Sequence, residues 1–272
     1  MKKRQAQLQS GVSEKLNNVV VFLIGGLAAF RLYMSFFMHE TDPVVDGWLL
    51  MVTLGLVVYL WLRQSQGVHN LAIAQERLMA AQVEMITVLV KTIEAKDPYT
   101  HGHSTRVARI AVALAGAMGL SDDDAAVVER AALLHDIGKL VIADDILHKT
   151  SPLTSEEWRV VKDHPRHTND ILSTLQFLER EKRIALLHHE RYDGAGYGLG
   201  LKTDEIPIEA TIVSIADGFD AMNSKRPYRG QLSREQIIAE ITKGRATQYH
   251  SSVVDRFLTL LNEKPELWAE VG

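Results

Sequence analysis

Cysteine is absent from all 272 residues. That gap removes disulfides, thiolate metal sites and cysteine nucleophiles together, and leaves histidine, aspartate and glutamate as the strong metal ligands available. A surplus of positive charge is missing too. Thirty Lys and Arg stand against 34 Asp and Glu, a formal net charge of -4, so the charge balance does not point to a nucleic-acid duplex as partner. No convincing run of alternating apolar and polar residues marks a strand, and there is no internal repeat or low-complexity segment. What is present is 46% hydrophobic residues, enough for one good-sized core with accessory elements.

Those apolar residues are unevenly spread. "NNVVVFLIGGLAAFRLYMSFFM" at 17–38 and "VVDGWLLMVTLGLVVYLWLR" at 44–63 each approach the roughly 20 residues that cross a bilayer. They predict a transmembrane hairpin within residues 1–63, with spans at about 19–38 and 47–63. Lys2, Lys3, Arg4 and Lys15 precede the first span, Arg63 closes the second, and "HETDPVVD" between them is acidic. By the positive-inside rule the N-terminus and everything after the hairpin face the cytoplasm, with Trp48, Tyr59 and Trp61 as interfacial anchors. Arg31 interrupts the first span. A central Arg costs about 2.5 to 3.5 kcal/mol on insertion scales, which its long stem reduces by snorkelling; a soluble helical hairpin is the competing reading.

In residues 64–91, Leu71, Leu78 and Met85 recur every seven positions, with Ala74, Ala81 and Val88 at the complementary ones. This short heptad seam either zips two protomers into a homodimer through residues 64–96 or packs on the following domain. Residues 92–272 read as that domain and are helical in rhythm almost throughout. Ser121 before three aspartates, Thr154 with Glu157, and Ser233 with Gln236 are helix-start signals. The long irregular stretch is "ERYDGAGYGLGLKTDEIP", 190–207, whose glycines and closing Pro207 mark a loop.

Eight of the eleven histidines fall between 101 and 189, most of them at predicted helix ends. His103 opens a helix; His135 and Asp136 end the next, with Gly138 as its stop; His164 precedes Pro165; His188 and His189 close "RIALLHHE". Asp217 lies inside the apolar "ATIVSIADGFDAM", where a lone carboxylate is costly. A single His at a helix C-terminus is ordinarily a dipole interaction. Five such histidines with two isolated aspartates are not accounted for that way. His103, His135, Asp136, His164, His188, His189 and Asp217 are seven ligands, more than one first-row ion accepts. Two ions bridged by Asp136 and a water or hydroxide satisfy the count, and such a pair is suited to attack on phosphorus. Nitrogen and carboxylate donors favour iron or manganese, with zinc and nickel as further candidates.

The segments "HSTRVARIAVALA", "ALLHDIGKL", "HP" at 164–165, "HHERYDGAGY" and "ADGFDAMNSKRPYR" resemble the HD-GYP subgroup of the HD metal-dependent phosphohydrolases. The resemblance covers roughly residues 90 to 262. It implies an all-α, helical HD-type bundle with a bimetal centre. It also implies a phosphodiesterase that opens the bacterial second messenger cyclic di-GMP to pGpG, and on to GMP, through a metal-bridging hydroxide. The chain would then be an inner-membrane enzyme of signal transduction. Lys139 matches the family lysine that holds the scissile phosphate. Arg226 and Arg229 are placed to fork onto the second phosphate or the guanine edges, the bland alternative being a solvated loop. Tyr197 and Asp220 complete the candidate substrate contacts, Asp220 with a role behind the ligands as its alternative.

Two positions depart from the family pattern. Its Gly-Tyr-Pro triplet stands here as Gly196, Tyr197, Gly198, so a stiffening proline is missing from the loop at 190–207, where a signalling protein would dock. A glutamate that some members carry four residues before the first ligand histidine is Tyr99 here, which favours two metals over three. Other functions compatible with the pattern are a different nucleotide phosphohydrolase of the superfamily and a non-catalytic cyclic-dinucleotide receptor.

Overall fold

The computed structural model describes residues 22, 25, 26, 29–31, 33, 34, 43–97, 102–224 and 231–269. Tyr99, Arg226, Arg229 and most of the first expected span lie outside them. Two compact units divide the chain, Met1–Ala81 and Gln82–Gly272. The described residues form helices and turns with no strand among them; an isolated bridge pairs Arg245 with Tyr249.

Helix α1, Pro43–Lys96, runs through the expected end of the second span without a break. The sequence there explains the continuity, because "RQSQG" holds good helix formers and one Gly, which costs only about 1 kcal/mol relative to Ala. By length and composition α1 is a candidate membrane span, and its first part exposes Trp48, Met51, Leu54 and Trp61. Arg31 sits 4.0 Å from Asp46, so the charge inside the first apolar run has an acidic neighbour within its own unit.

In the second unit the helices follow as α2 (His103–Ala117), α3 (Asp122–Leu134), α4 (Asp144–Leu147), α5 (Ser155–Lys162), α6 (His164–Leu172), α7 (Glu179–Leu187), α8 (Ile208–Asn223), α9 (Arg234–Lys243) and α10 (Ser251–Glu263), with short 3-10 turns between some of them. Side-chain caps set four of the starts, among them that of α10, where the His250 ring accepts from Ser252 N. Ser121 accepts from Asp124 N, and Thr154 with Glu157 and Ser233 with Gln236 form reciprocal capping boxes, each cap worth about 1 kcal/mol. Alanines 108, 111, 115, 131 and 132 are buried between α2 and α3, and their small side chains let the two backbones approach closely. Phe219 anchors the other side of this core, edge-on to Phe257 at 5.3 Å and to Trp268 at 5.1 Å. Each fully buried large apolar side chain contributes about 1.5 to 3 kcal/mol.

Two further contacts fix the parts of the bundle that carry the histidines. Glu181 of α7 is buried and takes Arg130 of α3 at 2.5 Å, joining two helices that both end in a histidine of the candidate set. Ile86 and Val90 of α1 pack with Leu134, Ile137, Leu172 and Leu178 in a second small core. Leu134 and Ile137 flank His135 and Asp136, so the C-terminal turns of α1 brace that pair.

Gly138 serves a purpose other than the helix stop expected of it. Helix α3 already ends at Leu134, and Gly138 lies within a 3-10 turn, Ile137–Val141. A Cβ there would meet His164 O at 2.0 Å and Thr168 N at 2.5 Å. Gly138 N donates to Thr168 Oγ1 at 2.9 Å, and that hydroxyl donates to His135 O at 3.0 Å. The glycine therefore lets the His135 turn and the start of α6 touch. Gly138→Ala forces backbone apart and should cost about 3 kcal/mol, which for a domain of this size lowers Tm by several degrees. Thermal unfolding of the variant beside the parent checks this, and an unchanged Tm would refute the close approach.

Candidate metal centre

All five histidines of the candidate set stand at helix ends. His103 is the first residue of α2, His135 follows the last residue of α3, His164 opens α6 just past the end of α5, and His188 and His189 follow α7. Helix ends carry carbonyls without an intrahelical donor, and a histidine just past the end can use one. His135 Nδ1 lies 2.7 Å from Ala132 O, His164 Nδ1 2.8 Å from Val161 O, and His188 Nδ1 2.6 Å from Ala185 O. Each is the carbonyl three residues back. A carbonyl only accepts, so the proton sits on Nδ1 and the Nε2 lone pair is left free. All three Nε2 atoms are buried and lack a hydrogen-bond partner, an arrangement that costs free energy until something binds there.

His103 reaches the same orientation by a different route. Its Nδ1 is 2.8 Å from Asp220 Oδ2, and Arg106 Nε donates to Asp220 Oδ1 at 2.7 Å. Asp220 is buried with both oxygens engaged, which stations it behind His103. Asp136 turns one oxygen to His164 Nε2 at 3.2 Å and the other to His135 Nε2 at 3.3 Å. These contacts are close without being aligned as hydrogen bonds. The second oxygen also faces Lys139 Nζ at 2.5 Å and His103 Nε2 at 3.9 Å. Asp217 comes within 3.3 Å of His103 Nε2.

Three sets of donor atoms each fall within 4.8 Å of one another: His164, His188 and His189; His103, His135 and Asp217; His135, Asp136 and His188. Between them these sets take in all seven residues singled out in the sequence, drawn from positions as far apart as 103 and 217. Tyr197 stacks on His189 with ring centroids 4.6 Å apart. Lys139 lies at the edge of the group, its side chain 21% exposed.

The charges favour a cation. Burial opposes ionisation of Asp136, but His135 and Lys139 hold its carboxyl well below the usual range. Asp217 is lowered in the same way against burial, by His103 and then His135. Burial, with the neighbouring histidines, pushes His188 well below its ordinary value, and burial brings His189 to about 4. The group thus offers ionised carboxylates and, at His188 and His189, neutral imidazoles, as a divalent ion requires, while the carboxylates beside His103 hold a proton there that a cation would displace.

Three residues of this arrangement are not evident from motif reading. Arg106, one turn after His103 on α2, clamps Asp220; Thr168 ties the His135 turn to α6; buried Glu190 holds the loop after His189. The spacing of Arg106 from His103 was the one available signal, since residues three apart share a helix face. The partners of Thr168 and Glu190 become visible only on folding.

Comparison with known proteins gives a consistent placement. A sequence model described as HD domain matches residues 87–253. The chain is 38% identical over 210 residues to 3'3'-cGAMP-specific phosphodiesterase 3 of Vibrio cholerae, covering 76% of this chain and 46% of that one. It is 41% identical over 187 residues to a cyclic di-GMP phosphodiesterase of Thermotoga maritima, covering 68% and 51%. The chain therefore spans about half the length of these relatives. The HD domain of L. monocytogenes phosphodiesterase PgpH shares the fold at a TM-score of 0.50 and 22% identity, covering 66% of this chain and 99% of that structure.

The geometry of His103 generates a pH dependence for protein stripped of metal by a chelator. Burial would lower its pKa, but the Asp217 and Asp220 carboxylates raise it from 6.5 to about 9. A folded-state pKa above the unfolded one gives stability that is complete below the unfolded value and is lost as pH rises through the folded one. Tm of the metal-free protein should fall between pH 6.5 and about 9, and Asp220→Asn should flatten that slope. Melting curves across this range test it, a level parent profile being the contrary result.

Proposed function

The chain belongs to the HD domain family, and from that premise we propose that it is a metal-dependent phosphodiesterase that opens a cyclic dinucleotide. The observation that carries this reading is the trio of buried, unpartnered Nε2 atoms on His135, His164 and His188 around the Asp136 carboxylate. His103, His135, Asp136, His164, His188, His189 and Asp217 would hold two divalent ions. Iron or manganese suits this nitrogen and carboxylate set best, with zinc or nickel as substitutes. When bound, such ions supply Lewis acidity toward phosphoryl oxygens and lower the pKa of water.

The chain's own residues supply the rest. Lys139 keeps its positive charge because Asp136 outweighs the effect of burial, and its partial exposure lets it meet a non-bridging phosphate oxygen as charge develops there. Arg106 and Asp220 keep His103 oriented. Arg226 and Arg229 are assigned to the second phosphate or the guanine edges. Cyclic di-GMP is the substrate favoured, with pGpG and then GMP as products. The cGAMP-specific relative makes 3'3'-cGAMP the second candidate.

In the same reading the apolar N-terminal runs form a multi-pass hairpin in a bacterial inner membrane, leaving the bundle in the cytoplasm. Leu71, Leu78 and Val88 of the heptad seam are exposed, whereas Ile86 and Val90 on a neighbouring stripe pack into the small core. That division supports a homodimer through 64–96, because the residues that dock on the bundle are different from those of the seam. The loop at 190–207 is the candidate face for a signalling partner.

Full chain purified in detergent and loaded anaerobically with iron or manganese should convert cyclic di-GMP to pGpG or GMP on chromatography, with 3'3'-cGAMP run in parallel. Asp136→Ala should lose metal and product together. Lys139→Ala should keep the metals and lose turnover by about 10²- to 10³-fold, the scale for removing one group that stabilises developing charge. Two metals per chain without hydrolysis of either dinucleotide would replace the enzyme with a receptor. Full metal and full rate in Asp136→Ala would remove the bimetal assignment.

A further inference from the structure

Four of the five clustered histidines have a hydrogen bond that fixes the ring, to a backbone carbonyl for His135, His164 and His188 and to Asp220 for His103. Among the described residues His189 has no such bond, yet its ring belongs to one of the three donor sets. The rings of His188 and His164 lie against it at 3.9 and 5.1 Å, both within the same donor set, and from outside that set Tyr197 stacks on it at 4.6 Å with an interplanar angle of 29°. Lys162 Nζ stands 5.6 Å from the centroid of the same tyrosine ring.

The backbone around Tyr197 is tightly held. Its N–H donates to His189 O at 3.2 Å. A Cβ on Gly196 would meet Arg191 N at 2.5 Å and His189 O at 2.6 Å. Past Tyr197 the chain curls around Glu190, which is only 3% exposed. Glu190 Oε1 accepts from Leu199 N and, at 2.9 Å, from Gly200 N, while its Oε2 is buried without a partner. Gly198, just before Leu199 and Gly200, has φ +137, and a Cβ there would lie 2.8 Å from Glu190 Oε1. Arg166 donates to its carbonyl at 3.1 Å. Burying a carboxyl group is costly unless hydrogen bonds compensate it, and the donors to Glu190 are backbone N–H groups of one loop. That loop carries Tyr197.

We propose that Glu190 is a positioning residue of the metal centre. Its carboxylate gathers the Leu199 and Gly200 N–H groups, closes the loop over residues 196–200, and so lays Tyr197 flat on His189, aiming that imidazole without a hydrogen bond to it. The proposal rests on the reading of the seven residues as a metal site. It also changes the meaning of the missing proline. Proline holds φ near -65°, whereas Gly198 stands at +137, and the loop takes its stiffness from a buried carboxylate.

Affinity for Mn(II), measured on the full chain by competition with a chromogenic chelator, tests this without reference to turnover. The parent should bind two ions, and Tyr197→Phe, which keeps the stacking ring, should match it. Tyr197→Leu and Glu190→Ala should each weaken one ion by about 10- to 100-fold, the range for losing a partner that orients a ligand, and leave the other ion unchanged. Glu190→Gln, which retains an acceptor oxygen, should recover most of that loss. Circular dichroism and melting in chelator separate this from unfolding. A folded Tyr197→Leu that binds both ions like the parent overturns the proposal while leaving the metal site intact. A Glu190→Ala that weakens both ions alike also overturns it, showing a general structural role. A parent that binds no pair of ions removes the metal-centre reading and this inference with it.

Discussion

The hydrogen bond from a histidine Nδ1 to the carbonyl three residues back is the interaction on which the rest of the site depends. It exists because an α-helix leaves its last carbonyls without donors. A histidine placed just past the end satisfies one of them and in doing so commits its proton to Nδ1. The other nitrogen is left as a lone pair pointing away from the helix. His135, His164 and His188 do this at the ends of three helices, and the bundle brings those ends together. One local rule, used three times, makes a cluster of metal-ready nitrogens out of ordinary helix termini.

The bundle keeps those ends in register with contacts of a different kind. Arg130 and Glu181 tie α3 to α7, Thr168 bridges the His135 turn to α6 through Gly138, and Ile86 and Val90 wedge α1 beside Leu134 and Ile137. Leu134 and Ile137 flank His135 and Asp136 directly, Thr168 lies one turn from His164, and Arg130 and Glu181 lie on the helices that lead into His135 and His188. Buried ion pairs are rarely large sources of stability. Here the pair sits where a small sliding of one helix past another would separate the donor atoms, so its value is geometric.

The carboxylates divide into two kinds by what surrounds them. Asp136 and Asp217 face Nε2 atoms at the centre of the cluster, whereas Asp220 stands behind it, on His103 Nδ1 and the Arg106 guanidinium, and Glu190 turns to backbone N–H groups. The first kind offers charge to a cation. The second kind spends its hydrogen-bonding capacity on orienting neighbours. A chain that folds this way brings together donor groups suited to an ion and the framework that orients them, consistent with membership in the HD domain family.

By itself the sequence determined what is local. Helix starts at Ser121, Thr154 and Ser233 follow from side chains that reach only three residues, and the placement of histidines at helix ends follows from the rhythm of apolar residues before them. The convergence of seven distant side chains was legible as an expectation because isolated buried charges need a partner. Only the tertiary structure decided the links that span long separations. Asp220 belongs to His103 and Arg106, Gly138 is small because the α6 backbone presses on it, and Glu190 folds a glycine-rich loop onto His189. Each depends on which backbones come within a few ångströms of each other, and that is fixed by the packing of the whole core and by no pattern along the chain.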